Sequence, residues 1–149
     1  MPRDELPLPE DILHHRGCVL LLHKILEHSD EHTIASVDVS RQEWLKRQDG
    51  SVEAWVTIEY MAQCFAARAG LLAYFRNEDL PRGFLIGARG LRFHVPEIKA
   101  DSWLRVYARP GQGRPGLGAL SQTCAVYQVE AGSDARLVAE GRLTVSTSR

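Results

Sequence analysis

Trp55-Val56-Thr57-Ile58-Glu59-Tyr60-Met61-Ala62-Gln63-Cys64-Phe65 is the stretch that decides how this chain folds. It reads as a helix that is apolar nearly all round, and such a helix belongs inside a protein. Glu59 stands in its middle. A carboxylate in apolar surroundings is costly unless it is paired, hydrogen-bonded or protonated, so the setting marks Glu59 as a candidate for chemistry. Asp49-Gly50-Ser51 supplies turn and N-cap residues ahead of the helix,. The helix is predicted to run to about Asn77. Gly70 inside it costs roughly 1 kcal/mol relative to Ala; close packing against a strand would account for it.

Outward from this helix the pattern changes to strands. Upstream, residues 1–11 are polar with three prolines and are expected to be extended or a short helical turn. Cys18 to Leu26 is an apolar run interrupted by His23 and Lys24, a predicted first strand. Ser29-Asp30-Glu31 is a turn signal. His32 to Val39 places Thr33, Ala35, Val37 and Val39 on one face, a second strand paired as a hairpin. Gln42 to Arg47 reads as one helical turn. Downstream, Phe84 to Gly87 leads into Leu91, Phe93 and Val95 at period 2, with Pro96 as breaker, and Ser102 to Arg109 follows. Arg109 to Gly116 is too rich in Gly and Pro for regular structure. Leu120 to Glu130 and Leu137 to Val145 form a last hairpin around Ala131-Gly132-Ser133-Asp134. One all-apolar helix among about six strands requires the sheet to curl around it. The expected fold is α+β, one domain over 1–149, with an antiparallel sheet of about 5–6 strands wrapped on one long central helix. Such a sheet leaves an edge strand and a helix face open, so a dimer is expected.

Composition narrows the function classes. The chain has 149 residues, 44% hydrophobic and 25% charged, ordinary for one globular core,. Its 18 basic and 19 acidic residues give a net charge of −1, no reason to expect nucleic acid or an anionic membrane as partner,. No apolar run approaches the roughly 20 residues that span a bilayer. Met1 to Glu5 lacks the order of a signal peptide, so a cytoplasmic location is expected. Cys18, Cys64 and Cys124 are an odd, widely spaced set inside apolar segments and are expected to be reduced core cysteines,. Without Cys-x-x-Cys or His-x-x-x-His, no metal is expected.

Three segments resemble the hot-dog β-hydroxyacyl-ACP dehydratases. Leu13-His14-His15-Arg16-Gly17-Cys18-Val19-Leu20-Leu21-Leu22-His23-Lys24-Ile25-Leu26 resembles that family's opening Leu-Pro-His-Arg-x-x-x-Leu-Leu-x-Asp-Arg-x-x. Ile58-Glu59-Tyr60-Met61-Ala62-Gln63 resembles its Leu-Glu-Ala-Met-Ala-Gln helix, which carries the catalytic acid. Gly87 through Arg92-Phe93 to Pro96 resembles its Gly-x-x-x-x-Arg-Phe-x-x-Pro strand. Order and spacing agree over most of the chain. The Ile-Glu-Tyr-Met-Ala-Gln version is similar to that of predicted dehydratases of aryl polyene pigment biosynthesis. There are three departures. The family's loop His falls on Leu45, its oxyanion-binding Gly falls on Ala54, and the acidic residue of its first strand is His23.

The resemblance implies dehydration of a 3-hydroxyacyl thioester, carried on acyl carrier protein, to the trans-2-enoyl thioester in fatty-acid or polyene-type biosynthesis. Glu59, supplied by the partner subunit, is the candidate acid or orienting group, with a pKa raised by an apolar surround; its structural alternative is a pair with Arg16 or Arg68. His15 stands where the family has its Pro-His-Arg His and is the candidate base that replaces the loop His. A backbone N–H near Ala54 is expected to receive the thioester carbonyl. Gln63, one turn after Glu59, is expected to bind substrate, or to hydrogen-bond Glu59 or a partner's backbone. Tyr60 is expected to pack. Phe65, Ile86, Gly87 and Phe93 are expected to line the acyl tunnel. Arg82, Arg89 and Arg92 are expected to dock the acidic carrier. His14, His23, His28, His32 and His94 read as surface or strand-filling residues. No cofactor is expected beyond the phosphopantetheine of the carrier. The partner subunit is a second copy or a related hot-dog protein. Two alternatives stand: an acyl thioesterase, in which the carboxylate activates water, and a non-catalytic carrier-binding subunit paired with an active dehydratase.

Overall fold

The structure, a computed structural model, describes residues 6–111 and 119–148. The glycine-rich part of the loop predicted at 109–116 falls largely outside them. A short helix α1 (Pro9–Ile12) opens the described chain. It is followed by strands β1 (Lys24–His28), β2 (Thr33–Asp38) and β3 (Val52–Glu53), the long helix α2 (Thr57–Phe75), then β4 (Arg82–Phe93), β5 (Glu97–Ile98), β6 (Trp103–Pro110), β7 (Ala119–Glu130) and β8 (Ser133–Ser148). Six strands form one antiparallel sheet in the order β1-β2-β6-β7-β8-β4, while β3 and β5 pair separately.

Period-2 alternation builds the inner face of this sheet. Ala35 and Val37 of β2, Leu104, Val106 and Ala108 of β6, Cys124 and Val126 of β7 and Leu143 of β8 are all buried. They close on Tyr60, Met61, Cys64, Phe65, Ala67 and Leu71 of α2, which are buried too. The sheet wraps one central helix, the hot-dog architecture expected from the sequence, with six strands. No helix among the described residues is long and apolar enough to cross a membrane.

Several local expectations change. Apolarity all round α2 does not mean burial all round. Glu59 and Leu72 are exposed, and Ala62, Ala66 and Ala69 between them are half-buried. These positions fall on one strip of the helix, and no element among the described residues covers it. Glu59 is therefore not a buried carboxylate. The helix begins at Thr57, later than Ser51 suggested, because Val52–Glu53 pairs with β5 and Ala54–Val56 is a 3₁₀ turn. It ends at Phe75, where Asn77 takes a left-handed φ of 56° and the Glu78 N–H returns to the Ala73 carbonyl at 2.9 Å,. Gln42 to Arg47 forms turns rather than helix.

The predicted first strand starts only at Lys24. Residues 17–19 form a 3₁₀ turn, because the buried Gln63 carboxamide takes over the polar groups of this segment. Its Oε1 accepts from the Leu21 N–H at 2.8 Å and its Nε2 donates to the Val19 carbonyl at 2.6 Å. Cys18 is consequently exposed, whereas Cys64 and Cys124 are core residues as expected.

Gly70 packs against α1, not against a strand. A Cβ added there would lie 2.1 Å from the Ile12 carbonyl oxygen. Gly70→Ala is expected to lose about 1–3 kcal/mol of stability by overpacking, despite its better helix propensity. Urea denaturation checks this: an unchanged or raised midpoint would show that α1 does not hold this position.

Candidate active site

A cleft of about 250 Å³ opens along the uncovered strip of α2. Its floor is Ala62, Phe65, Ala66 and Ala69, and its wall is Leu85, Leu120 and Val145. Both walls follow from local rules. The floor residues recur at three- and four-residue spacing, so they share one side of the helix. The wall residues form one row across three strands, since Leu120 faces Val145 and Val145 faces Leu85. Alanine on the helix leaves the room that larger side chains would fill.

His15 and Glu59 of the same chain both line this cleft, so no partner subunit is needed to bring Glu59 to His15. Glu59 is in the first turn of α2. His15 arrives on the segment after α1, which is anchored by the buried Ile12 and Leu13. Arg16 locks that segment by donating from Nη1 to the carbonyls of Leu13 at 2.6 Å and His15 at 2.7 Å. The His15 imidazole is half-buried, and its Nδ1 is buried with no hydrogen-bond partner. Burial lowers its pKa below the ordinary 6.5; the Glu59 carboxylate opposes this, while His14 and Arg16 add to the lowering,. The ring is held neutral with a free nitrogen beside a carboxylate.

The structural alternative for Glu59 finds no support. Arg16 is committed to backbone carbonyls, and Arg68 is committed to the carbonyls of Ser29 and Asp30 and the hydroxyl of Thr33. Among the described residues Glu59 has no ion-pair partner.

Other expected site residues are distributed differently. Phe65 lines the cleft, and Arg82 stands at its rim. Arg89 and Arg92 lie further along β4, away from it. Gln63 is 1% exposed with both ends of its amide engaged, so it clamps the backbone rather than binding substrate. The Ala54 N–H donates to the Pro96 carbonyl at 3.3 Å, so it is not the free oxyanion donor expected. Ile86, Gly87 and Phe93 do not line the cleft; Leu85 does. Register shifts on β4 between Leu85 and Gly87 and between Arg89 and Arg92 move residues across the pleat,. A period-2 count cannot see such bulges. The bulge hides Leu85 for that reason, while Leu120 and Val145 join the cleft only through cross-strand register, which a single strand's pattern does not carry.

Tyr60 packs in the core, 0% exposed. Four other histidines are engaged elsewhere, His23 against Trp103, His28 on Thr33 and Phe75, His32 on Glu27 and His94 on Glu140, and His14 is exposed. A larger hollow of about 460 Å³ near Leu8, Leu22, His23 and Arg41 offers Asp38, but Ser40 and Arg41 already hold that carboxylate. Among the described residues no group of three His, Cys, Asp or Glu is placed to hold a metal ion.

His15, His23 and His28 all have lowered pKa values, with burial the main cause in each. The unfolded chain therefore takes up protons more readily than the folded one. Stability is expected to be full above pH 6.5 and to fall as the pH drops through the lower folded values,. Thermal unfolding at about pH 7.5 and about pH 5.5 measures this. The slope should be shallower in His15→Gln, and an equal slope would mean that the ring is not held neutral by the fold.

No curated protein matches the chain at a significant level. A chain of the dehydratase heterocomplex ApeI:P from Xenorhabdus doucetiae is 24% identical, with a TM-score of 0.82 over 97% of this chain and 93% of that one. AziG from S. sahachiroi is 19% identical, with a TM-score of 0.60 over 85% and 90%. Thioesterase superfamily member 2 from Mus musculus is 14% identical, with a TM-score of 0.58 over 83% and 80%. These likenesses show a common hot-dog fold. A family model described as ApeP dehydratase matches residues 7–149, and the chain belongs to this ApeP-like family.

Proposed function

We propose that this protein dehydrates a 3-hydroxyacyl thioester, carried on acyl carrier protein, to the trans-2-enoyl thioester in fatty-acid or polyene-type biosynthesis. One observation carries the reading: a neutral imidazole with a free nitrogen and a carboxylate meet in one apolar cleft of one chain. Membership of a dehydratase family supports it.

In this mechanism the acyl chain lies on Ala62, Ala66 and Ala69, against Phe65, Leu85 and Val145. The C2 proton is acidified by the thioester carbonyl. His15 takes it, and the electron pair forms the C2–C3 double bond. The imidazolium so formed is stabilised by the Glu59 carboxylate, whose field raises the pKa of the ring. His15 then returns the proton to the departing C3 hydroxyl, which Glu59 orients, and water leaves. The acidic carrier is drawn to the positive charge of β4, with Arg82 at the rim and Arg89 and Arg92 beyond it. The phosphopantetheine arm belongs to the carrier, and the reaction requires no metal.

A second reading has one specific observation in its favour. The position of the family's loop His is Leu45, a half-buried residue packed on the core that can move no proton. In that reading the protein is a non-catalytic subunit, paired with a related hot-dog dehydratase. The heterocomplex of the similar ApeI:P structure is consistent with such a partner.

Conversion of 3-hydroxyacyl-ACP to enoyl-ACP separates the readings. His15→Ala and Glu59→Gln should each lower kcat by about 10²–10⁴-fold. Full activity in His15→Ala would sink the proposed base. Inactivity of the wild type, alone and with a companion dehydratase, would sink catalysis, and free acid without enoyl product would identify a thioesterase.

A further inference from the structure

The hollow of about 460 Å³ beside Leu8, Leu22 and Arg41 shares no lining residue with the cleft. Its volume lies in the range that holds a drug-sized ligand, about 300–1,000 Å³. One buried group in its wall is left without a partner. Gln42 is 6% exposed, and its Nε2 donates over long distances to the carbonyls of Leu21 at 3.4 Å and Asp38 at 3.5 Å. Its Oε1 is buried and accepts from nothing. An unmet buried acceptor is a standing cost to the fold. A ligand N–H that reaches it from the hollow removes that cost.

The same hollow carries a thiol. The 3₁₀ turn that replaces the expected strand leaves Cys18 an exposed free cysteine in the lining. The Trp44 indole N–H donates to the Cys18 carbonyl and fixes the backbone there. Charges of both signs stand around it. Lys24 and Glu10 are exposed lining residues, and among the described residues neither has an ion-pair partner. Arg41 turns Nε to Asp38 and Nη1 to His23, which leaves Nη2 uncommitted among the described residues. Asp38 is already held by Ser40 and Arg41. The charges left for a ligand are therefore Lys24, one arm of Arg41, and Glu10.

We propose that Cys18 is an S-thiolation site, and that the hollow beside it selects a zwitterionic peptide thiol of the glutathione class. Such a molecule answers each uncommitted group. Its carboxylates pair with Lys24 and Arg41, its ammonium with Glu10, and an amide N–H donates to Gln42 Oε1. The step is thiol–disulfide exchange. The Cys18 thiolate, its proton lost to solvent, attacks one sulfur of the oxidised peptide disulfide. The new bond to Cys18 forms, the old S–S bond breaks, and one reduced peptide thiolate leaves. The attacked disulfide is itself the oxidant. A polyanionic disulfide would meet Glu10 with repulsion, and an uncharged one would leave all three charges unpaired. The adduct falls on the turn between His15 and the backbone that Gln63 holds, but no step of the dehydration enters the proposal.

Intact-mass kinetics with peptide mapping test this on the wild type and on the Lys24→Gln/Arg41→Gln double variant. Glutathione disulfide should give a single adduct, on Cys18. The double substitution should slow that reaction at least about tenfold, as loss of electrostatic attraction does. Neutral 2-hydroxyethyl disulfide reads the reactivity of the thiolate alone, and its rate should fall far less. Gln42→Met should also slow the glutathione reaction; if circular dichroism shows that variant unfolded, the exposed Lys24 and Arg41 substitutions decide. The proposal is overturned by no adduct, by an adduct on Cys64 or Cys124, or by equal slowing with both disulfides. Coenzyme A disulfide reacting as fast as glutathione disulfide overturns it too. No enzymatic activity is measured, so failure here leaves the His15 and Glu59 test standing, and the converse holds.

Discussion

The carboxamide of Gln63 organises both the fold and the site. Nearly fully buried on α2, it replaces a β-ladder for the segment around Val19–Leu21, accepting from one backbone N–H and donating to one carbonyl. Without it the Leu21 N–H would be buried and unsatisfied, at a cost of about 1–3 kcal/mol,. The bond holds the segment against the helix rather than in the sheet. The chain just before it, from Ile12 to Arg16, is thereby kept beside the first turn of α2. His15 meets Glu59 because Gln63, one turn further along, has tied the neighbouring backbone down.

The electrostatics of the cleft follow from partial cover. His15 is buried enough to lose its charge but retains a free ring nitrogen. Glu59 remains open to solvent, where a carboxylate carries no burial penalty to be offset. The helix strip below them is alanine, so the floor is apolar and shallow, and the β7–β8–β4 row closes one side. The pair thus opens onto the uncovered strip of the helix.

What was legible in the sequence were features carried by local period and residue type. The apolar run from Trp55 to Phe65 required a central helix, and alternating segments required a sheet to wrap it, since no other partner could bury so much surface. The motif around Glu59 and the His-Arg pair before Gly17 identified the two groups that now share a cleft. The tertiary structure decided what depends on partners distant in the chain. Glu59 proved exposed because no strand among the described residues covers its strip of the helix. Ala54 lost its role to the carbonyl of Pro96. Two bulges in β4 exchanged Ile86 for Leu85, and cross-strand register assembled Leu85, Leu120 and Val145 into one row from three separate strands. Periodicity reports which way a side chain points from its own backbone; burial, hydrogen-bond partners and register depend on what the rest of the chain brings to meet it.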